Sequence, residues 1–156
     1  MAKKYIIDKR EINGETQIQE WVRSRINRDA VEFAEQFGKD LATMKDDKKR
    51  DQSLTTAQIR NVFGEVRRIQ MINKKAKNEN DFDESSILLL KPKLAYSAKR
   101  ADRKAVTELA DVLTKGIDAV VEKAEYTEKI RRFENFANFF EAVLAYHKAN
   151  ETKSKS

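Results

Sequence analysis

Cysteine is missing from this 156-residue chain, proline occurs once, glycine four times and histidine once. Without cysteine there is no disulfide framework, no thiolate metal site and no cysteine nucleophile, and a reducing compartment is permitted. Five glycine and proline residues are too few to turn a multistranded β fold or to build the glycine-rich phosphate loops of α/β nucleotide folds. Apolar runs are short, Ile87 to Leu90 being typical, so no helix is expected to span a bilayer. The start, Met1-Ala2-Lys3-Lys4-Tyr5, leads into no signal-peptide stretch. These absences predict an all-α, cytoplasmic protein with no membrane partner.

What is present fits that class. Hydrophobic residues make up 40% of the chain and charged residues 37%, enough for a core beneath a heavily ionised surface. The length suits one domain. Residues 1–15 read as an N-terminal arm, either mobile or in a short strand, and residues 16–149 as one helical domain. Residues 150–156 read as a disordered tail. Helical spacing begins at Ile18, Trp21 and Val22, and Asp29 with Glu32 has capping-box spacing ahead of Phe33, Phe37 and Leu41. Gly38 weakens that run, and one helix or two over 16–44 are equally compatible with it. Residues 45–53 form a polar loop. Thr55 with Gln58 then opens a helix reaching about Lys75.

An acidic loop, 78–86, follows. Pro92 either opens a helix or kinks one that is continuous. Val106, Leu109, Leu113, Ile117 and Val120 mark another helix. The last carries Tyr126, Ile130, Phe133, Ala137, Phe140, Leu144 and His147 on one seam. The expected architecture is a compact bundle of five or six helices.

Catalytic groups are scarce. His147 continues the aromatic seam and reads as a packed or hydrogen-bonded residue. With one histidine and no cysteine, no metal site is expected, and the acidic clusters Asp46-Asp47 and Asp81-Asp83-Glu84 lack calcium-loop spacing. No phosphate loop or nucleophile elbow occurs. No enzymatic activity and no cofactor are expected.

Charge is more informative. The net +6 comes from 32 basic and 26 acidic residues. Residues 56–77 hold six basic side chains and one acidic, net +5, and residues 91–104 repeat that balance. The rest of the chain is therefore net −4. On a helical wheel, Ile59, Val62, Phe63, Val66 and Ile69 form a core face, and Arg60, Arg67, Arg68, Lys74 and Lys75 a basic arc that excludes Glu65. Gly64 lies inside the arc, where a missing side chain lets a phosphate or another backbone approach. Such a concentration suits a polyanion. Arg60, Arg67, Arg68, Lys93, Arg100 and Arg103 are the candidate contacts to such polyanions, nucleic acid among them, with Tyr96 able to stack on a base. The competing reading is a structural interaction module whose basic surface meets acidic protein and no RNA. On the last helix, Phe133, Ala137 and Phe140 read as core, while Phe136, Phe139 and Tyr146 are candidates for a subunit interface.

Three ordered motifs carry a resemblance. Leu54-Thr55-Thr56-Ala57-Gln58-Ile59-Arg60 is one, and Leu90-Lys91-Pro92-Lys93-Leu94-Ala95-Tyr96 with Arg100 is the second. The third runs from Asn135-Phe136 through Phe139-Phe140-Glu141-Ala142 to Ala145-Tyr146-His147-Lys148. Together they resemble the small subunit of the type III-A CRISPR–Cas effector, the Csm complex, over about the last 100 residues. Ala57 stands where that family usually has serine, and Leu144-Ala145 where it has a valine-alanine pair. The resemblance implies an all-helical, non-catalytic subunit, present in several copies beside the guide RNA and its paired target RNA. Its partners would be the backbone and large subunits and other copies of itself.

Overall fold

The computed structural model describes residues 4–7 and 10–151, with side chains from Gln17 onward. Strands β1 (Lys4–Ile7) and β2 (Arg10–Asn13) pair antiparallel, Lys4 opposite Asn13 and Ile7 opposite Arg10. Six helices follow: α1 (Gly14–Arg23), α2 (Arg28–Thr43), α3 (Thr56–Lys74), α4 (Glu84–Ala101), α5 (Lys104–Val120) and α6 (Tyr126–Asn150). The architecture beyond the hairpin is an all-α bundle, as the shortage of turn formers requires. The greater part of the tail expected to be disordered, 152–156, lies outside the described residues, as do parts of the N-terminal arm.

Local chemistry accounts for most helix boundaries. Thr55 Oγ1 accepts from Gln58 N at 3.2 Å and Gln58 Oε1 from Thr55 N at 2.9 Å, the reciprocal capping box expected for α3. Residues 16–44 divide into two helices, and the cap of the second differs from expectation. Asn27, not Asp29, caps α2, accepting from Ala30 N at 3.0 Å; Asp29 sits in the first turn, where a carboxylate still favours the helix dipole. The acidic loop is shorter than expected because Asp83 starts α4, its carboxylate accepting from Ser86 N. Pro92 lies within a continuous α4. It has no N–H for the Leu88 carbonyl, and Leu88 is exposed, so water can satisfy that group. Asp102, at φ 50°, ends α4 in a left-handed conformation that aspartate tolerates better than most residues.

Helix α6 is the hub, packing on α1, α2, α3 and α5. Trp21, Phe33 and Phe139 cluster with ring centroids 5.7 to 6.1 Å apart, and Phe63 meets Phe140 edge-on at 5.2 Å. Gly38 lets α2 and α6 approach: a Cβ there would lie 2.7 Å from His147 N and from Tyr146 Cβ. His147 is fully buried, and its Nε2 bonds the Leu54 carbonyl at 2.8 Å. It is therefore a packed, hydrogen-bonded histidine that ties the end of α6 to the entry of α3. Among the described residues no helix is long and apolar enough to cross a membrane.

Candidate nucleic-acid interface

The capping box and the buried residues Ile59, Val66 and Ile69 fix the rotation of α3. With that face inward, Arg60, Arg67, Arg68, Lys74 and Lys75 all stand exposed. Ile87, Leu90 and Leu94 fix α4 in the same way, leaving Lys93, Tyr96, Lys99 and Arg100 outward. Tyr96 is 66% exposed, so it is a surface aromatic and not a core one.

The two helices touch only sparingly, and a cleft runs between them. It has adjoining compartments of about 360 and 310 Å³ that share Asn61, Val62, Leu94 and Ser97. Leu54, Val106 and Leu109 deepen its apolar floor at one end, under Arg100. Lys93 and Tyr96 line the other compartment. The basic side chains lining the cleft, Lys93 and Arg100, come from α4, while α3 contributes Gln58, Asn61 and Glu65; the basic arc of α3 stands on the exposed face beside it.

Glu65 departs from the wheel-based reading. It lies outside the basic arc of α3 yet inside the basic surface, because α4 brings Lys93 to it. Its carboxylate accepts from Arg68 Nη2 at 2.7 Å and Lys93 Nζ at 3.0 Å. The Arg68 fork foremost, and then the Lys93 ammonium, hold the Glu65 carboxyl at about 2, well below its ordinary 4.5. A depressed carboxyl stabilises the fold fully above its unfolded value and loses that effect as pH falls toward the folded one. Glu65→Gln is thus expected to lower stability by less than about 1 kcal/mol at pH 7, since both cations reach into solvent. Urea titrations at a series of pH values check this: the difference should shrink steadily below about pH 4.5 and vanish near 2. A pH-independent difference would remove the ion pair as its cause.

The candidate contacts do not all have equal freedom. Arg60 and Arg100 have no carboxylate partner among the described residues and are exposed. Arg67 is held with its guanidinium 5.3 Å over the Phe63 ring and bonded to Gln70 Oε1. Arg103 is turned elsewhere: it donates to the Ser53 carbonyl at 3.1 Å and pairs with Asp51, pinning the α4–α5 turn to the 44–55 loop. Lys91 is likewise committed, to Asp118 on α5 at 2.6 Å.

Phe136 and Phe139, expected at a subunit interface, are each 1% exposed within the single chain. Helices on several sides of α6 enclose both rings, so they build this chain's own core. Tyr146 is half-buried and packs against that core. Sequence reasoning missed Asn61 and Ser97, which became visible only with the cleft. The Glu65–Arg68 pair did have a signal, the three-residue spacing of opposite charges on a helix. Among the described residues no group of three or more metal-ligating side chains gathers.

Residues 25–153 match the family model described as Csm2 Type III-A. No curated protein matches the chain.

Proposed function

The chain belongs to the Csm2 family, small subunits of the type III-A Csm effector, and from that premise we propose that it serves as a non-catalytic RNA-backbone clamp. In this reading it lines the channel that holds guide RNA and target RNA. Sequence is read by base pairing between the strands, while this subunit contacts phosphates and shape. Arg60, Arg67, Arg68, Lys93 and Arg100 supply the phosphate attraction and Tyr96 a stacking surface. Its partners are the two RNAs, the backbone and large subunits, and further copies of itself. The observation that carries the reading is that two net +5 segments lie on neighbouring helices, α3 and α4, with Arg60, Arg67, Arg68, Lys93 and Arg100 all exposed and Arg68 and Lys93 brought together at Glu65. A protein that merely needed a soluble surface would gain nothing from collecting its positive charge there.

Arg103 contributes by holding the α4–α5 turn through Ser53 and Asp51. Binding of the full chain to labelled single-stranded RNA tests the proposal. Engaging about five phosphates gives a slope near −3.5 in log K against log salt, roughly a hundredfold loss of affinity between about 50 and about 200 mM salt. A flat salt response, or binding of acidic protein but not RNA, would overturn it in favour of a protein-interaction module.

A further inference from the structure

Of the glycines whose surroundings are described, Gly38 and Gly116 explain themselves. A Cβ at Gly38 would meet the α6 backbone, and one at Gly116 would lie 2.8 Å from the Phe136 ring. Gly64 does not. It sits in the middle of α3, where glycine destabilises a helix relative to alanine. Its φ is not positive, and a Cβ there would meet nothing within 4 Å. Nothing inside this chain requires the missing side chain. The open direction is outward.

The surroundings of that opening are cationic on both sides. With Ile59 at zero on the wheel, Gly64 points near about 140°, Arg60 and Arg67 near about 100° and 80°, and Arg68 near about 180°. Seven residues further along, Lys74 and Lys75 repeat the flanking positions of Arg67 and Arg68, two turns or about 10.5 Å away. The long arginines are also held off the crest between them. Arg67 leans over Phe63 and bonds Gln70, on one flank. Arg68 is forked onto Glu65, on the other flank. What remains uncovered is helix backbone at Gly64, bordered by guanidinium groups.

We infer that the sugar-phosphate backbone of the RNA crosses α3 at Gly64, where it reaches the helix backbone itself, and continues between the two cationic rows toward Lys74 and Lys75. This deepens the proposed function and rests on it. A nucleic-acid backbone fits better than a protein one because the opening is bordered by positive charge and a phosphate is charged on every residue it passes. A Cβ at Gly64 would hold the strand away and lengthen each guanidinium–phosphate contact. Gly64 therefore sets how close the polyanion comes, while the arginines set the attraction.

Substitutions at Gly64 test this, because they are expected to improve the fold as they impair binding. In the full chain, Gly64→Ala should raise Tm by about 1–4 °C and weaken single-stranded RNA binding about threefold at low salt. Gly64→Leu should keep or raise Tm and weaken binding tenfold or more, about 1.4 kcal/mol for each factor of ten. RNA affinity unchanged in both variants, with Tm raised, would overturn the inference. The triple variant Arg60→Glu, Arg67→Glu, Arg100→Glu separates the two levels of argument. If it loses binding while both Gly64 variants bind like wild type, only the Gly64 path is wrong. If it binds as wild type does, or wild type binds no RNA, the proposed function fails and this inference with it.

Discussion

Gly38→Ala is expected to destabilise the protein by about 2–4 kcal/mol and to lower Tm by roughly 10 °C. The added methyl would lie 2.7 Å from both His147 N and Tyr146 Cβ, and 2.8 Å from the Val143 carbonyl oxygen. Two of those atoms are backbone and the third is a Cβ, so no rotamer change can move them aside. Helix α2 must instead back away from α6, opening the contact on which Phe33, Phe37 and Phe139 close their aromatic cluster. Alanine's better helix propensity returns only about 1 kcal/mol. The displacement also strains the His147–Leu54 bond, which links this contact to the start of α3. Thermal and urea unfolding check the expectation, and equal stability of wild type and variant would refute it. The same substitution at Gly64 is expected to act with the opposite sign, because there the methyl meets no atom of the chain.

Reversing Arg60, Arg67 and Arg100 to glutamate together is expected to weaken RNA binding at least about a hundredfold. Each lost phosphate contact on a single strand costs roughly fivefold at about 0.1 M salt, so three compound to about a hundredfold before repulsion is added. The fold should survive. Arg60 and Arg100 hold no ion pair among the described residues, so no internal charge is orphaned by reversing them. Arg67 gives up its place over Phe63 and its bond to Gln70, worth about 1 kcal/mol. Titration of labelled RNA, with a circular-dichroism melt of the same sample, checks both halves. Unchanged affinity would remove the α3–α4 face from RNA contact altogether.

Some of this architecture is written in short stretches of sequence. Thr55 and Gln58 cap α3 because a capping box needs only residues three apart. Ile59, Val66 and Ile69 face inward and the arginines outward because both follow the 3.6-residue period of one helix. The family motifs are legible for a related reason. Leu54, Ile59, Leu90, Leu94, Phe136, Phe140 and His147 within them are all buried, so the resemblance traces the core as much as any contact surface.

Other features depend on distant partners and have no local signature. Asp29 and Asn27 are both competent caps by composition, and only the path out of α1 selects Asn27. Glu65 looks like an outlier beside the basic arc until Lys93, 28 residues on, is set against it. Arg103 belongs to a basic segment by sequence and to Asp51 by structure. By sequence, Phe136 and Phe139 are two aromatics more than one buried stripe of a helix needs. Helix α6 turned out to have neighbours on several sides, and a central helix buries more than one stripe.

By itself the sequence determined that this protein is helical, that its positive charge is concentrated in two segments, and which family it resembles. Those are matters of composition, period and local order. Tertiary structure alone decided what the scarce glycines do. Gly38 is where two helices touch and Gly64 where nothing does, although both are mid-helix glycines of ordinary backbone conformation. A residue without a side chain carries no pattern of its own. Its role is fixed by the atoms that the rest of the fold brings, or fails to bring, to the space that a Cβ would have filled.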